Sequence, residues 1–218
     1  MINNYFKINA DHYYPRATSA WCAPLLGWIV LLVASAPGHA QSRDDYCGTA
    51  VPAVLEQQAA RARSGRYVNA MYGYSVDIPP GTEAFPNPGE TERGFSILLS
   101  RAPLALLRVD ASYDVFYDLT PGGVHLRDLN TIRLHDALLD DQSADAVLAL
   151  EPARRSRMQL RCSASGELRA HEEIITVRRR EIYRIDLATT PERLAIDSRV
   201  MDHLVKSWRW EPVRAADR

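Results

Sequence analysis

Outside the first forty residues, four histidines, two cysteines and two pairs of neighbouring carboxylates are the side chains of this sequence that could do chemistry. The histidines are His125, His135, His171 and His203, and none stands four residues from another. No single helix face therefore offers the paired ligands of a zinc site. His171-Glu172-Glu173 has the opening of a zincin motif but no second histidine. Gly122-Gly123 lies in a turn pattern, not in a phosphate-cradling one. The expectation is no metal and no cofactor. No Gly-x-Ser-x-Gly elbow is present to hold a strained serine nucleophile. Asp110 and Asp114 would share a strand face about 13 Å apart, wider than the carboxylate pair of a typical glycosidase. They and Asp140–Asp141 read as solvated carboxylates. With no catalytic constellation, the expected protein is not an enzyme.

Two surface features suit binding better. Arg178-Arg179-Arg180 falls between two strand-like runs, a basic hairpin tip able to meet an anionic partner. Tyr113, Phe116 and Tyr117 cluster near irregular chain, and aromatics are enriched in interface cores. These six residues are the candidate partner-binding set.

The start of the chain bears on compartment. A polar segment with Lys7 and Arg16 precedes the apolar run Leu25 to Ala34, and Gly38-His39-Ala40 follows. That is the pattern of a secretory signal peptide cleaved after Ala40. The run is shorter than the roughly 20 apolar residues of a spanning helix. The expected product is periplasmic and not an integral membrane protein after cleavage. Its two cysteines, Cys47 and Cys162, should form one disulfide in that oxidising compartment. The whole chain carries 26 basic and 27 acidic residues. Such a balance gives no basic footprint for nucleic acid.

The elements that must position these residues follow from periodicity. Residues 1–40 are the expected signal peptide, 41–66 an N-terminal arm and helix, 67–212 a single domain and 213–218 a disordered tail. Tyr74, Val76 and Ile78 alternate with Ser75 and Asp77 in the first core strand, ended by Pro79-Pro80-Gly81. Pro80 to Arg93 reads as a loop. Gly94 to Leu99 and Leu107 to Tyr113 read as a hairpin, the second strand one-sided with Arg108, Asp110 and Ser112 turned to water. Thr120-Pro121-Gly122-Gly123 reads as a turn, Leu126 to Leu139 as a helix and Ala146 to Leu150 as a short strand. Strands around Met158–Cys162, His171–Val177 and Tyr183–Leu187 form a meander. Thr190-Pro191-Glu192 starts an amphipathic helix with Ile196, Val200 and Leu204 inward. Ser207-Trp208-Arg209-Trp210 closes the domain.

This order resembles the PsbP-like superfamily over about residues 67–210. The resemblance is carried by Tyr72-Gly73-Tyr74-Ser75-Val76-Asp77-Ile78-Pro79, Tyr183-Arg184-Ile185 and Val205-Lys206-Ser207-Trp208. It implies an α+β fold, an antiparallel β-sheet flanked by helices in a PsbP-like α/β/α sandwich. It also implies a non-catalytic role in binding or assembly. The leading expectation is a protein that binds a protein partner in the cell envelope, as an accessory subunit of a complex or as an immunity protein against a secreted toxin. A small-ligand or lipid carrier and a periplasmic hydrolase with dispersed catalytic residues are the alternatives.

Overall fold

The computed structural model describes Cys47 and residues 62–87, 93–113 and 120–213. The expected signal peptide, the helix from Val51, and Phe116 and Tyr117 lie outside the described residues. The elements run β1 (Arg66–Asn69), β2 (Tyr74–Asp77), β3 (Ala84–Pro86), β4 (Gly94–Arg101), β5 (Leu104–Tyr113), α1 (Pro121–His135), β6 (Ala137–Leu148), β7 (Glu151–Arg161), β8 (Leu168–Arg178), β9 (Glu181–Thr189), α2 (Leu194–Ser207) and β10 (Arg209–Trp210). Seven strands form one antiparallel sheet in the order β3-β4-β5-β9-β8-β7-β6. A second, three-stranded sheet has the order β1-β2-β10.

Each face of the large sheet is covered by a helix. On β8, His171, Glu173 and Ile175 turn toward α1, where His125 meets Glu173 and Val124 packs on Ile175. Glu172 and Ile174 turn the other way, toward Ser198, Met201 and Leu204 of α2. The α+β sandwich of antiparallel sheet and flanking helices is thus the observed fold.

The alternating strand Tyr74 to Ile78 is central, as its pattern suggests, but it pairs with β1 and β10 in the small sheet. Tyr74 and Val76 are fully buried. Ser75 is buried as well, because Arg66 and Glu211 close over its hydroxyl. Tyr74 stacks on Trp208 with ring centroids 4.5 Å apart, and Tyr183 and Trp210 complete the aromatic cluster.

Four local expectations need correction. Thr120 to Gly123 is not a free turn but the start of α1. The Thr120 hydroxyl caps the Gly123 N–H at 3.1 Å, and Pro121 takes the first turn, where a missing N–H costs nothing. α2 starts at Leu194, with the Thr190 carbonyl accepting the N–H groups of Arg193 and Leu194. Its buried stripe is Asp197, Ser198, Met201 and Leu204, leaving Ile196 exposed. The loop from Pro80 contains β3, paired on β4. Finally, β6 spans twelve residues rather than five and forms a hairpin with β7.

The expected disulfide is present between Cys47 and Cys162, with Cα atoms 5.6 Å apart. Cys162 follows the last residue of β7, and beside it Ser163 donates to the Asp136 carboxylate at the end of α1. No helix of the described residues is long and apolar enough to cross a membrane.

Candidate functional site

One rank of side chains crosses the large sheet under α1. Strand register lines up Ser96, Arg108, Asp186, Glu173, Ser156 and Ser143 on β4, β5, β9, β8, β7 and β6. His171 lies one inward position along β8, beside Asp186 at 3.9 Å. α1 supplies His125 from above. Its Nδ1 sits 2.6 Å from Glu173 Oε1 and its Nε2 3.4 Å from Asp141 Oδ2. Ser156 Oγ donates to the same Glu173 oxygen at 3.0 Å. One turn on, Asp128 of α1 accepts from Arg184 of β9 at 2.6 Å.

Burial and charge together set the protonation states. Burial opposes a charged His125, but the hydrogen bond and charge of Glu173, joined by Asp141, outweigh it and raise the pKa. Burial also opposes a charged Glu173, yet His125 and His171 bring its pKa below the ordinary value. The raised pKa favours the imidazolium form of His125, in which both ring nitrogens donate, one to Glu173 and one to Asp141. In that form the ring has no lone pair to take a proton from a substrate. His171 is the opposite case: burial pushes it down to about 4, so it is neutral. Burial, reinforced by the charge of Glu173, pushes Asp186 up to about 7. His125, His171 and Glu173 are each almost entirely shielded from solvent. Among the described residues no three His, Cys, Asp or Glu side chains are grouped to hold a metal ion.

The periodicity had signalled part of this layer, since His171 and Glu173 share their face with Ile175 and Val177. His125 and His171, which showed no ligand spacing in the sequence, lie in the interior. Asp110 is likewise not solvated. It is mostly buried, which raises its pKa, while Arg184, Arg93 and Arg108 partly offset the rise. Both faces of β5 are covered, so its alternation marks two environments and not core against water.

Of the candidate binding residues, Tyr113, Arg178, Arg179 and Arg180 are described, and they lie at one end of the sheet. The β6–β7 hairpin turns at Ala149-Leu150 and the β8–β9 hairpin at Arg179-Arg180, on the same end. Tyr113, the last residue of β5, lies opposite Glu181, directly after the arginine tip. Arg178 stands apart from its two neighbours. It pairs with Glu151 at 2.9 Å and lies over the Trp210 ring at 4.7 Å. Trp210 in turn donates to the Ala149 carbonyl at 3.0 Å, tying the two tips together. Arg179, Arg180 and Leu150 are exposed, Leu150 at 95%. All four tip residues hold positive φ: 46° and 73° at Ala149 and Leu150, 55° and 67° at Arg179 and Arg180. Two-residue hairpin turns of this kind favour Asn-Gly, and each non-glycine there costs about 1 kcal/mol.

No protein-family model matches the chain, and no curated protein matches it. Solved structures do. A crystal structure of LpqN, involved in cell envelope biogenesis of Mycobacterium tuberculosis, is 10% identical with a TM-score of 0.52, covering 74% of this chain and 97% of its own. The solution structure of cyanobacterial PsbP (CyanoP) from Synechocystis sp. PCC 6803 is 19% identical with a TM-score of 0.47, covering 66% of this chain and 91% of its own. At such identities the likeness is one of fold. The α+β fold that the sequence resemblance implied, an antiparallel sheet flanked by helices, is the fold observed.

Proposed function

We propose that this chain is an exported, non-catalytic domain that binds a protein partner in the cell envelope. The observation that carries the reading is the closed clamp Asp141–His125–Glu173, buried under α1 with both imidazole nitrogens engaged. His125 and Glu173, residue types suited to acid–base work, are spent on one another in the interior. Export is supported by the signal pattern before Gln41 and by the Cys47–Cys162 bond, which persists in oxidising compartments. The LpqN structure, a protein of cell envelope biogenesis, supports an envelope setting. Within it, an accessory subunit of an envelope complex and an immunity protein against a secreted toxin both fit. Among the described residues, the cleft lined by Arg63, Tyr67, Ala84, Pro86, Gly94 and Phe95 is too small for a lipid.

Affinity capture of the tagged, exported protein from envelope extracts tests the reading. One protein recovered in stoichiometric amount is expected. A retained lipid or small molecule identified by mass spectrometry would instead make it a carrier. Turnover of a broad hydrolase substrate panel would make it an enzyme.

A further inference from the structure

We infer that the rim formed by the two hairpin tips and the end of β5 docks onto an anionic lipid surface. Four observations carry this. Leu150 projects from one tip with 95% of its surface exposed. Arg179 and Arg180 form the neighbouring tip, also exposed. Tyr113, 59% exposed, stands beside them at the end of β5. The rim runs from β6 to β5, four strand spacings or about 19 Å. It thus presents an apolar residue, two cations and an aromatic along one edge. An apolar side chain entering the acyl boundary, arginines at the phosphates and a tyrosine at the headgroup level are what an anionic interface accommodates.

The charge balance of the rim points the same way. Among the described residues the two acids of the tips are paired: Glu151 holds Arg178, and the buried Glu181 accepts the Tyr183 hydroxyl at 2.6 Å. The exposed charge of the two tips is therefore that of Arg179 and Arg180. The tips are also held firmly, through Arg178 over Trp210 and through Trp210 to the Ala149 carbonyl. Leucine and arginine occupy left-handed positions that glycine or asparagine would fill without strain. The fold keeps these side chains at the tips against the local backbone preference. A bilayer surface uses all of these features at once, whereas a free phosphate would have no use for Leu150.

The inference rests on export to the envelope and is independent of the protein partner, so its failure leaves the capture experiment untouched. The exported protein, purified after processing, is sedimented with vesicles of phosphatidylglycerol in phosphatidylcholine and with vesicles of phosphatidylcholine alone. Binding to the first, reversed by salt, and little binding to the second are expected. Arg179→Ser with Arg180→Ser should weaken it about fivefold per arginine. Ala149→Asn with Leu150→Gly should lose binding while raising the melting temperature, because it relieves the left-handed strain; lost folding cannot explain that pair of results. Arg199→Ser, on the exposed side of α2, should bind as the wild type does. Absence of binding to the anionic vesicles overturns the inference. So does equal binding by the tip variants, or displacement by inorganic phosphate with no effect of the Leu150 change.

Discussion

Beneath α2 the large sheet meets Trp208, Tyr74 and Tyr183; beneath α1 it meets His125, Glu173 and Ser156. The first face is held mainly by apolar burial, which is non-directional and scales with area. Its interior carboxylates are all paired: Glu172 accepts from Arg155, Arg157 and Ser198, Asp197 from Thr189 and Arg193, and Glu181 from Tyr183. The second face is held by a ladder of charged and hydroxyl groups whose partners must sit at fixed distances. The difference teaches where each kind of information lies. The aromatic face carries stability, and the polar face makes that stability depend on pH and on correct register between α1 and four strands.

The comparison can be broken most forcefully at the disulfide. Cys162 continues the α1-facing set of Met158 and Leu160, so the bond staples the chain at Cys47 to the polar side. Closing a loop with a sequence separation of 115 residues is worth about 4 to 5 kcal/mol in the chain-entropy model. Reduction, or Cys47→Ser, should lower thermal stability by that order. An unchanged melting curve would mean that the polar side needs no staple. On the aromatic face, Trp208→Ala should cost about 4 kcal/mol in urea unfolding, because Tyr74, Tyr183 and Trp210 all lose their shared contact.

On the polar face a single deletion should behave differently from a paired one. Glu173→Ala takes from the buried His125 the carboxylate that most favours its charged form and should cost about 3 kcal/mol. His125→Leu with Glu173→Leu removes both charges and should recover most of that loss, within about 1 kcal/mol of wild type. An equally damaging double variant would show that the ladder is required for packing and not for charge balance.

The pH dependence sharpens the contrast further. Asp186 is pushed up to about 7 in the fold against an ordinary 3.8, and His171 down to about 4 against 6.5. Between pH 4 and 6.5 the fold keeps a proton on Asp186 that the unfolded chain has lost, so this group lowers stability as pH rises. Over the same window the unfolded chain keeps a proton on His171 that the fold lacks, so that group raises stability as pH rises. The two nearly offset each other in the wild type. His171→Gln should therefore lose stability from pH 4 to 6.5, and Asp186→Asn should gain it, both read from unfolding curves. His125 adds stability that is complete below pH 6.5 and fades as pH rises through its higher folded value. The smallest effect belongs to the rim: Leu150→Gly should stabilise by about 0.5 to 1 kcal/mol, since glycine takes a positive φ freely.

Much of this architecture is legible in the sequence. The β4–β5 hairpin, the β7–β8–β9 meander, the closing helix and the disulfide follow from alternation, turn residues and two cysteines. What stayed hidden has physical causes. The start of α1 is masked by two glycines, and its buried stripe includes His125 and Asp128 while Leu126 and Leu134 face out, so its apolar pattern misleads. β6 contains three aspartates and looks like solvated chain, yet β7 supplies its ladder along its full length. The polar rank could not be seen because its members come from six strands, and only register brings them together. The rim was half visible: Arg179, Arg180 and Tyr113 were candidates from the outset, whereas Leu150 joined them only when the β6–β7 turn was placed.

The sealed interior under α1 holds one histidine whose raised pKa favours the charged form and one that burial keeps neutral. Titration of the ring resonances of His125 and His171 by NMR in the exported protein tests this most directly. The account predicts that His125 keeps both ring protons past pH 6.5 and that His171 stays neutral down to about 4. A His125 that loses its proton below pH 6.5, or a His171 already charged at pH 6, would contradict it.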